Sequence, residues 1–352
     1  MILGAVSQLK MEISPVTDTE RDNLRSRFLE PETRCGHFVS AETKKLWKCM
    51  LDILEELLRI CDRNGLRCFM MSGTMLGAIR HGGFIPWDDD LDVCLPRQDY
   101  AKLIRILPKE LPEPLFAQTI SSDGGYTAPF LKIRNSQTAA ITPWFVQNHL
   151  VANLGVFVDV HALDGIPRSP FLQRSLTAAT HALMGAAKVN AGCAEPAHGL
   201  PRRILRTLLA KGLGRKGVDR ALATLPRFAP FGSTPKCGLS APFFGYGNPP
   251  HRGIWPTEWF QHDVEVDFEY LRVKIPARAD EILSLSYGDW RTPVKSGVSW
   301  HEWMKFDTER DYKAVLVEDF GYKPEEFEPG AKRISRPCVH SFCKTTKSKD
   351  HH

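Results

Sequence analysis

Apolar side chains recur every three or four residues along residues 41–64, the spacing that places them on one face of a helix. Gly65 follows directly and predicts the end of this helix, because glycine readily adopts the left-handed conformation found at helix C-termini. Similar patterns predict helices over 97–111 and 279–290, the second ending near Gly288. The apolar face of an amphipathic helix is expected to cover a core.

Short apolar runs between the helices predict β-strands, because strands are brief and rich in apolar residues. The runs cover residues 67–73, 90–96, 128–135 and 155–163, and a hairpin is predicted over 264–276. A short helix over 74–82, closed by a pair of glycines, separates the first two strands. This order of elements is typical of an α/β or α+β domain.

Residues 168–235 differ from the rest of the chain because they are basic, rich in alanine and leucine, and without acidic clusters. Three helices are predicted here, over 171–189, 201–213 and 215–226. We interpret the segment as a helical insertion or lid. Its arginines form either an ordinary solvated face or a surface for an anionic acceptor.

Composition narrows the class of protein only moderately. The 352 residues are 43% hydrophobic and 25% charged, with a formal net charge of +5. This mild positive charge suits anionic small molecules or a loose approach to an anionic membrane surface, and no nucleic-acid partner is expected. The nine cysteines contain no C-x-x-C pair, which favours reduced thiols in the cytosol. We found neither a secretory leader nor an apolar stretch of about 20 residues, so a soluble cytoplasmic protein is expected.

Four aspartates are concentrated just before and within the strand predicted over 90–96. Asp90 and Asp92 are predicted to share one face of that strand, because side chains alternate with a period of two. Two ionised carboxylates so close together require a compensating cation, and oxygen ligands suit Mg²⁺ or Mn²⁺. Asp88 and Asp89 fit equally well a solvated acidic turn or a role in holding the loop.

Two further features support a site for phosphate and metal. Gly73 and Thr74 join a strand to a short helix, where backbone N–H groups can bind a phosphate. Asp159 interrupts an apolar strand and is predicted to be a third carboxylate of the site, because a lone buried aspartate is costly. Asp164 is placed outside that strand and is expected to shape the turn before Gly165.

Cationic side chains close to these segments are candidates for binding phosphate. Arg80 and His81 close the short helix, and Lys132 and Arg134 share one face of a strand. Each pair fits a surface ion pair about equally well. His81 also fits a helix C-cap.

At these residues the chain resembles the LicD family of phosphocholine transferases, to which fukutin and fukutin-related protein are similar. The resemblance rests on residues 72–100, 132–138, 155–167 and 255–290. It implies a nucleotidyltransferase-like fold, a mixed β-sheet flanked by helices. It also implies a metal-dependent transfer of an alcohol phosphate from a CDP-activated donor to a sugar hydroxyl of a cell-surface glycan, such as lipopolysaccharide or capsule, with release of CMP.

The resemblance assigns roles to individual positions. It implies that Asp90 and Asp92 hold the metal with Asp159 as the third carboxylate, and that Gly73 and Thr74 hold the donor phosphates. Asn135 stands where many relatives carry an acidic residue, so no role is carried over to it. The aromatic residues that could stack on the base or the acceptor sugar, or simply form core and wall, are Tyr246, Trp255 and Trp259.

Two alternatives remain open at the level of the sequence. The same site could transfer a nucleoside monophosphate to a small molecule or nucleic acid, releasing pyrophosphate, or the chain could be a non-catalytic scaffold in glycan assembly. Glycan acceptors are often lipid-linked, so peripheral contact with the inner face of the membrane is a further expectation. The predicted division of the chain is an N-terminal extension (1–40), a catalytic core (41–167), the helical insertion (168–240), the C-terminal part of the same domain (241–320) and a tail (321–352).

Overall fold

The computed structural model describes residues 17–193, 199–239, 253–294 and 304–328. In the first half the elements are α1 (Asp18–Arg27), β1 (Glu32–Arg34), β2 (His37–Val39), α2 (Ala41–Arg63), β3 (Phe69–Met70), α3 (Ser72–His81), β4 (Asp92–Pro96), α4 (Arg97–Glu110), β5 (Leu115–Gln118), β6 (Leu131–Asn135), β7 (Ala139–Ile141), α5 (Pro143–Gln147) and β8 (Val156–Gly165). In the second half they are α6 (Pro170–Asn190), α7 (Leu200–Thr224), β9 (Lys236–Leu239), β10 (Trp255–Pro256), β11 (Asp263–Phe268), β12 (Leu271–Pro276), α8 (Ala279–Tyr287), β13 (Lys305–Asp307) and α9 (Tyr312–Phe320).

The largest sheet has seven strands, and β8 lies at its centre. One edge of β8 pairs in parallel with β4, which in turn pairs with β3 in the antiparallel sense. The other edge of β8 pairs with β6 along its first half and with β9 near its end, both antiparallel. Strands β5 and β10 extend the sheet beyond β6 and β9. Parallel and antiparallel pairs in one sheet flanked by helices confirm the mixed α+β class.

Helix α2 covers the sheet with the apolar face that its periodicity predicts. Trp47, Leu54 and Leu57 on this face are fully buried in the main core, which also contains the β8 residue Val158. The Ser40 hydroxyl accepts a hydrogen bond from the Thr43 N–H and so caps the first turn of the helix. Local sequence signals and long-range burial therefore agree over this helix.

Most elements predicted from periodicity are confirmed, including α2, α4, α8 and the β11–β12 hairpin. Helix α3 ends as expected, with Gly82 in the left-handed conformation at φ 63°. The three helices predicted over 171–226 are confirmed, because α6 covers the first and the non-helical Gly214 divides α7 into the second and the third. Neither α6 nor any other helix in the described part of the chain has the length and apolarity needed to cross a bilayer.

Two aspartates near strand ends lie differently from their predicted positions. Strand β4 begins at Asp92, so Asp90 precedes the strand, where its carboxyl is buried close to those of Asp92 and Asp159. Strand β8 continues to Gly165, because its end pairs with β9, and Asp164 therefore lies inside the strand. Asp164 is buried and accepts two hydrogen bonds of 2.6 Å from Arg97, so it joins the start of α4 to the sheet.

Helices α6 and α7 pack against each other and share a small apolar cluster that includes Leu183, Ala186 and Ala210. Ile120, in the segment after β5, belongs to the same cluster and connects the helix pair to the sheet. The division of the chain into five segments stays a prediction.

Candidate active site

A row of polar side chains crosses three neighbouring strands of the large sheet. Asp92 on β4 lies opposite Asp159 on β8, and Asp159 lies opposite Lys132 on β6. These residues are far apart in sequence and meet only because β8 pairs with β4 on one edge and β6 on the other. The row therefore brings together one predicted metal ligand from each of two strands and one predicted phosphate-binding cation.

His161 completes a cluster with the two carboxylates of this row. Ligand atoms of Asp92, Asp159 and His161 all lie within 4.8 Å of one another. His161 Nε2 is 3.5 Å from an Asp92 carboxylate oxygen, and the ring of Phe130 covers the imidazole with centroids 4.5 Å apart. Two carboxylates and an imidazole form a donor set suited to a divalent cation such as Mn²⁺ or Mg²⁺.

Asp90 and Asp88 add negative charge just before β4. The pKa of the Asp90 carboxyl is raised well above its usual range by burial and, next, by the neighbouring Asp92 and Asp88 carboxylates. Burial, followed by repulsion from Asp89, raises the pKa of Asp88 to about 6. This concentration of partly buried carboxyl groups is the environment that a bound cation would stabilise.

Lys132 supplies the positive charge closest to Asp159. Its ammonium donates a hydrogen bond to the Asp159 carboxylate and lies 3.5 Å from the centre of the Phe157 ring. Burial lowers the pKa of Lys132, while the negative charge of Asp159 opposes this shift. The side chain is therefore held at the cluster by an ion pair and a cation–π contact.

Gly73 and Thr74 pack the start of α3 against the acidic segment. The Asp92 N–H donates to Thr74 Oγ1 at 2.8 Å, so this buried hydroxyl positions the backbone of a candidate metal ligand. A methyl group at Gly73 would lie 2.9 Å from an Asp88 carboxylate oxygen, which is tighter than normal packing allows. The predicted role of both residues in holding donor phosphates stays a prediction.

Arg80 and His81 lie at the C-terminal end of α3, whereas Thr74 lies near its start. Six residues separate Arg80 from Thr74, which is about 9 Å along the helix axis. Arg80 donates hydrogen bonds to the Trp290 carbonyl at 2.8 Å and to His81 Nε2 at 3.0 Å. Burial and then the nearby charge of Arg80 lower the pKa of His81 to about 4. These contacts tie the end of α3 to the segment after α8, and a role in phosphate binding stays a prediction.

Arg134 shares a strand with Lys132 but has different partners. Its buried guanidinium donates to the Gln118 side-chain oxygen and, at 2.6 Å, to the Gly155 carbonyl. Gln118 in turn donates to Asp123 and to the Asn153 carbonyl, both at 2.8 Å. Arg134 thus belongs to a buried network that joins β5, β6 and the start of β8, and its predicted phosphate contact stays a prediction.

The three aromatic candidates occupy different surroundings. Trp255 is buried, packs edge-on against Phe260 and donates to Ser286 Oγ at 3.2 Å. Trp259 is partly buried against the main core. Tyr246 falls outside the described residues. The buried position and polar partner of Trp255 match the expectation of a core residue.

His161 is the functional candidate that the sequence analysis missed. It follows Asp159 by two residues, so strand periodicity alone places both side chains on one face. The signal was therefore present in the segment 155–163, but a histidine between apolar neighbours has no distinguishing feature until Asp92 is known to lie opposite.

Comparisons with known proteins agree with the mixed α+β fold, which is consistent with a nucleotidyltransferase-like domain. Residues 65–162 match the family model described as LicD/FKTN/FKRP, nucleotidyltransferase domain. This segment contains α3, β4, β6 and all three members of the Asp92–Asp159–His161 cluster. The similarity to the LicD family is thus located in residues 65–162 of this chain.

Three relatives illustrate the range of the similarity. Lipopolysaccharide cholinephosphotransferase LicD of Haemophilus influenzae is 31% identical over 121 residues, which cover 34% of this chain and 43% of that protein. An uncharacterised protein of Rickettsia prowazekii is 28% identical over 127 residues, covering 36% and 43%. Human ribitol 5-phosphate transferase FKRP is 35% identical over 78 residues, covering 19% and 16%. The chain thus matches less than half the length of each relative.

Proposed function

We propose that this protein transfers an alcohol phosphate, such as phosphocholine, from a CDP-activated donor to a sugar hydroxyl of a cell-surface glycan and releases CMP. The observation that carries the proposal is the convergence of Asp92, Asp159 and His161 within the segment that matches the family model. Two relatives support the type of cargo, since one is named as a cholinephosphotransferase and the other as a ribitol 5-phosphate transferase.

The donor set fits a divalent cation held by Asp92, Asp159 and His161, with the Asp90 carboxyl in the same charged cluster. Mg²⁺ prefers oxygen ligands, whereas Mn²⁺ also accepts imidazole, so Mn²⁺ suits all three residues. Such an ion, when bound, supplies positive charge that neutralises the donor diphosphate.

The remaining groups act on the phosphate and the proton. Lys132 can turn from Asp159 towards the donor phosphates, because an ammonium on a flexible stem is a mobile point charge. The sugar hydroxyl attacks the phosphorus of the alcohol phosphate, the bond to the CMP oxygen breaks, and CMP leaves. The hydroxyl proton goes to an ionised carboxylate of the cluster, and Asp90 is our candidate because its raised pKa makes this carboxylate, once ionised, a stronger base than an ordinary aspartate.

Nucleotidyl transfer is the second candidate function, because the matched family model describes a nucleotidyltransferase domain. The same acidic cluster would then bind a nucleoside triphosphate, and the reaction would release pyrophosphate in place of CMP. The identity of the released product separates the two functions.

The test is thermal unfolding of the wild-type protein with CDP-choline, CDP-ribitol, CDP-glycerol, CTP or ATP, each with and without Mg²⁺ or Mn²⁺. A ligand that binds only the folded state at about 100 times its Kd stabilises by about 2.7 kcal/mol and raises the midpoint. We expect a metal-dependent rise with one CDP-alcohol and loss of that rise in Asp92→Asn, which removes a proposed metal ligand. Asp22→Asn, an exposed aspartate on α1, is the matched control.

Product analysis with the stabilising ligand completes the test. CMP release that requires both metal and a glycan acceptor supports phosphoalcohol transfer. Stabilisation by triphosphates alone, with pyrophosphate release, would establish nucleotidyl transfer. Metal-independent binding of a CDP-alcohol without turnover would instead indicate a scaffold. A cytoplasmic position with peripheral contact at the inner face of the membrane is part of the proposal, since glycan acceptors are often lipid-linked.

A further inference from the structure

The first half of α7 exposes a stripe of large apolar side chains. Leu200, Ile204, Leu205 and Leu208 are 68%, 50%, 49% and 64% exposed. At about 100° per residue they fall within a sector of about 140° on one side of the helix. Ala210, which is buried against α6, lies outside this sector. The stripe is therefore separate from the face through which α7 packs against the rest of the protein.

Such a stripe is unusual on a monomeric surface, where single apolar residues are common but contiguous groups mark binding sites. Apolar and basic residues are interspersed along 200–211, so different sides of the helix present apolar and positively charged side chains. The exposed Arg202 and Arg203 border the stripe on its two sides, at about 200° and 300° from Leu200, and Lys211 follows it at its C-terminal end. An apolar stripe bordered by cations is the pattern of helices that lie in a membrane interface.

Positive charge is concentrated on the same helix pair. Helix α6 carries two basic residues and α7 carries seven, counting lysine and arginine together. The single carboxylate of the two helices is Asp219. The Asp219 carboxylate accepts a hydrogen bond from the Ser121 hydroxyl, at the contact with the sheet. The exposed cations of α7 are Arg202, Arg203, Lys211, Lys216 and Arg220. This imbalance contrasts with the nearly even 46 basic and 41 acidic residues of the whole chain.

We propose that the stripe and the cations beside it form a docking surface for an anionic phospholipid bilayer. Helix α7 would lie parallel to the membrane, with the four apolar side chains at the boundary between headgroups and acyl chains and the cations against lipid phosphates. Charge argues against a second copy of the chain as the occupant. A symmetric dimer through this face would place two strongly basic helices together.

The part of α7 beyond the break at Gly214 connects the helix to the segment after β5 of the large sheet. Asp219 and Arg215 on α7 both bond to Ser121, the latter through a 3.3 Å hydrogen bond to its carbonyl oxygen. Helix α6 follows directly after β8, the strand that carries Asp159 and His161. Membrane docking would determine where the molecule resides, and it does not depend on the chemistry proposed for the site.

The test is co-sedimentation of the full chain with vesicles of phosphatidylcholine, with and without about 30% phosphatidylglycerol. We expect binding to the anionic vesicles that weakens as salt is raised, and much weaker binding to phosphatidylcholine alone. The double variant I204S/L208S should lower the affinity about tenfold or more, since it removes half of the stripe. The double variant R202Q/R203Q should lower it about tenfold or more, because each cation near an anionic surface contributes about 1 kcal/mol.

Matched control variants distinguish binding through this surface from nonspecific adsorption to vesicles. The variant L24S/F38S removes two exposed apolar residues of α1 and β2, and R27Q removes an exposed cation of α1. Both should bind anionic vesicles like the wild type, and all variants should keep the wild-type circular dichroism spectrum because every altered side chain is exposed. A melt of each variant checks that the fold is retained.

Three results would overturn the proposal. One is absence of wild-type binding to anionic vesicles. Another is equal loss of binding in the control variants and in I204S/L208S. The third is a wild-type dimer in analytical ultracentrifugation that I204S/L208S converts to a monomer, since a second copy would then cover the stripe.

Discussion

His161 adds a third potential ligand group, an imidazole, to the Asp92 and Asp159 carboxylates. Its Nε2 faces an Asp92 oxygen at 3.5 Å, and Phe130 packs over the ring. A neutral imidazole binds transition metals well, whereas it contributes little to Mg²⁺. The identity of the ion is therefore linked to this one side chain, and Mn²⁺ is the ion whose binding should depend on it most.

The contribution of His161 to metal binding can be tested by substitution. We expect His161→Gln to weaken Mn²⁺ binding at least tenfold, because losing even an outer partner of a metal ligand costs about that much. His181→Gln, on the exposed side of α6, is the control and should bind Mn²⁺ like the wild type. Isothermal titration calorimetry with Mn²⁺ measures both, and equal affinities would remove His161 from the set of ligands.

Thr74 and Lys132 show how neighbouring groups keep the candidate ligands in position. Thr74 accepts the hydrogen bond of the Asp92 N–H, and Lys132 pairs with the Asp159 carboxylate. The sequence predicted both residues near phosphate, but in the structure each contacts a predicted metal ligand directly. The two roles are compatible for Lys132, whose ammonium can move, and less so for the Thr74 hydroxyl, which is buried in its bond to Asp92.

At the scale of elements, the break in α7 separates its exposed first half from the part that anchors to Ser121. Gly214 has φ 60° and ψ −179°, a combination open essentially to glycine alone. Residues before the break carry the apolar stripe, and residues after it carry Arg215 and Asp219. The glycine thus lets one continuous segment serve two different surfaces.

The second prediction concerns this break. We expect Gly214→Ala to destabilise the protein by about 1–3 kcal/mol, because a Cβ makes this backbone conformation strained. Gly212→Ala is the matched control, since no atom lies within 4 Å of its added methyl group. It should be neutral or stabilise by up to about 1 kcal/mol through helix propensity. Urea unfolding followed by circular dichroism measures both, and equal effects would show that the break is not a constraint.

For the molecule as a whole, the candidate site is a source of instability, because ionised carboxyl groups are buried close together there. Asp88 and Asp90 have raised pKa values because burial and neighbouring carboxylates disfavour their ionised forms. A carboxyl whose pKa is raised by folding favours the folded state when it is protonated and loses that contribution as pH rises. The metal-free protein is therefore expected to be less stable at neutral pH than it would be without these carboxyl groups.

The third prediction tests this cost. In the presence of a chelator near pH 7, we expect Asp90→Asn to raise the free energy of unfolding by about 1 kcal/mol or more, the scale of one poorly compensated buried group. The gain should shrink towards pH 4, where the wild-type carboxyl is protonated. Urea unfolding at several pH values provides the measurement. Asp22→Asn should show no comparable gain, and a destabilised Asp90→Asn protein at neutral pH would contradict the account.

The C-terminal residues of the described chain also join the main body. Val315, Leu316 and Tyr322 share a buried cluster with Ile141 of β7, and β13 pairs with β7. His149 Nε2 and a Glu326 carboxylate oxygen are 2.6 Å apart beside Tyr322. The sequence analysis assigned residues from 321 onwards to a tail, whereas Tyr322 and Glu326 are buried in this contact.

The sequence by itself determined the helices, most of the strands and two carboxylates of the cluster, because hydrophobic periodicity and a charge within an apolar run are local signals. Only the tertiary structure decided which strands are neighbours, since pairing of β4, β6 and β8 joins distant segments. That pairing places Asp92 beside Asp159 and His161, gives Lys132 to Asp159 and turns Arg134 towards Gln118. Exposure of the α7 stripe was likewise settled by packing, because the free side of a helix depends on where its partner α6 lies.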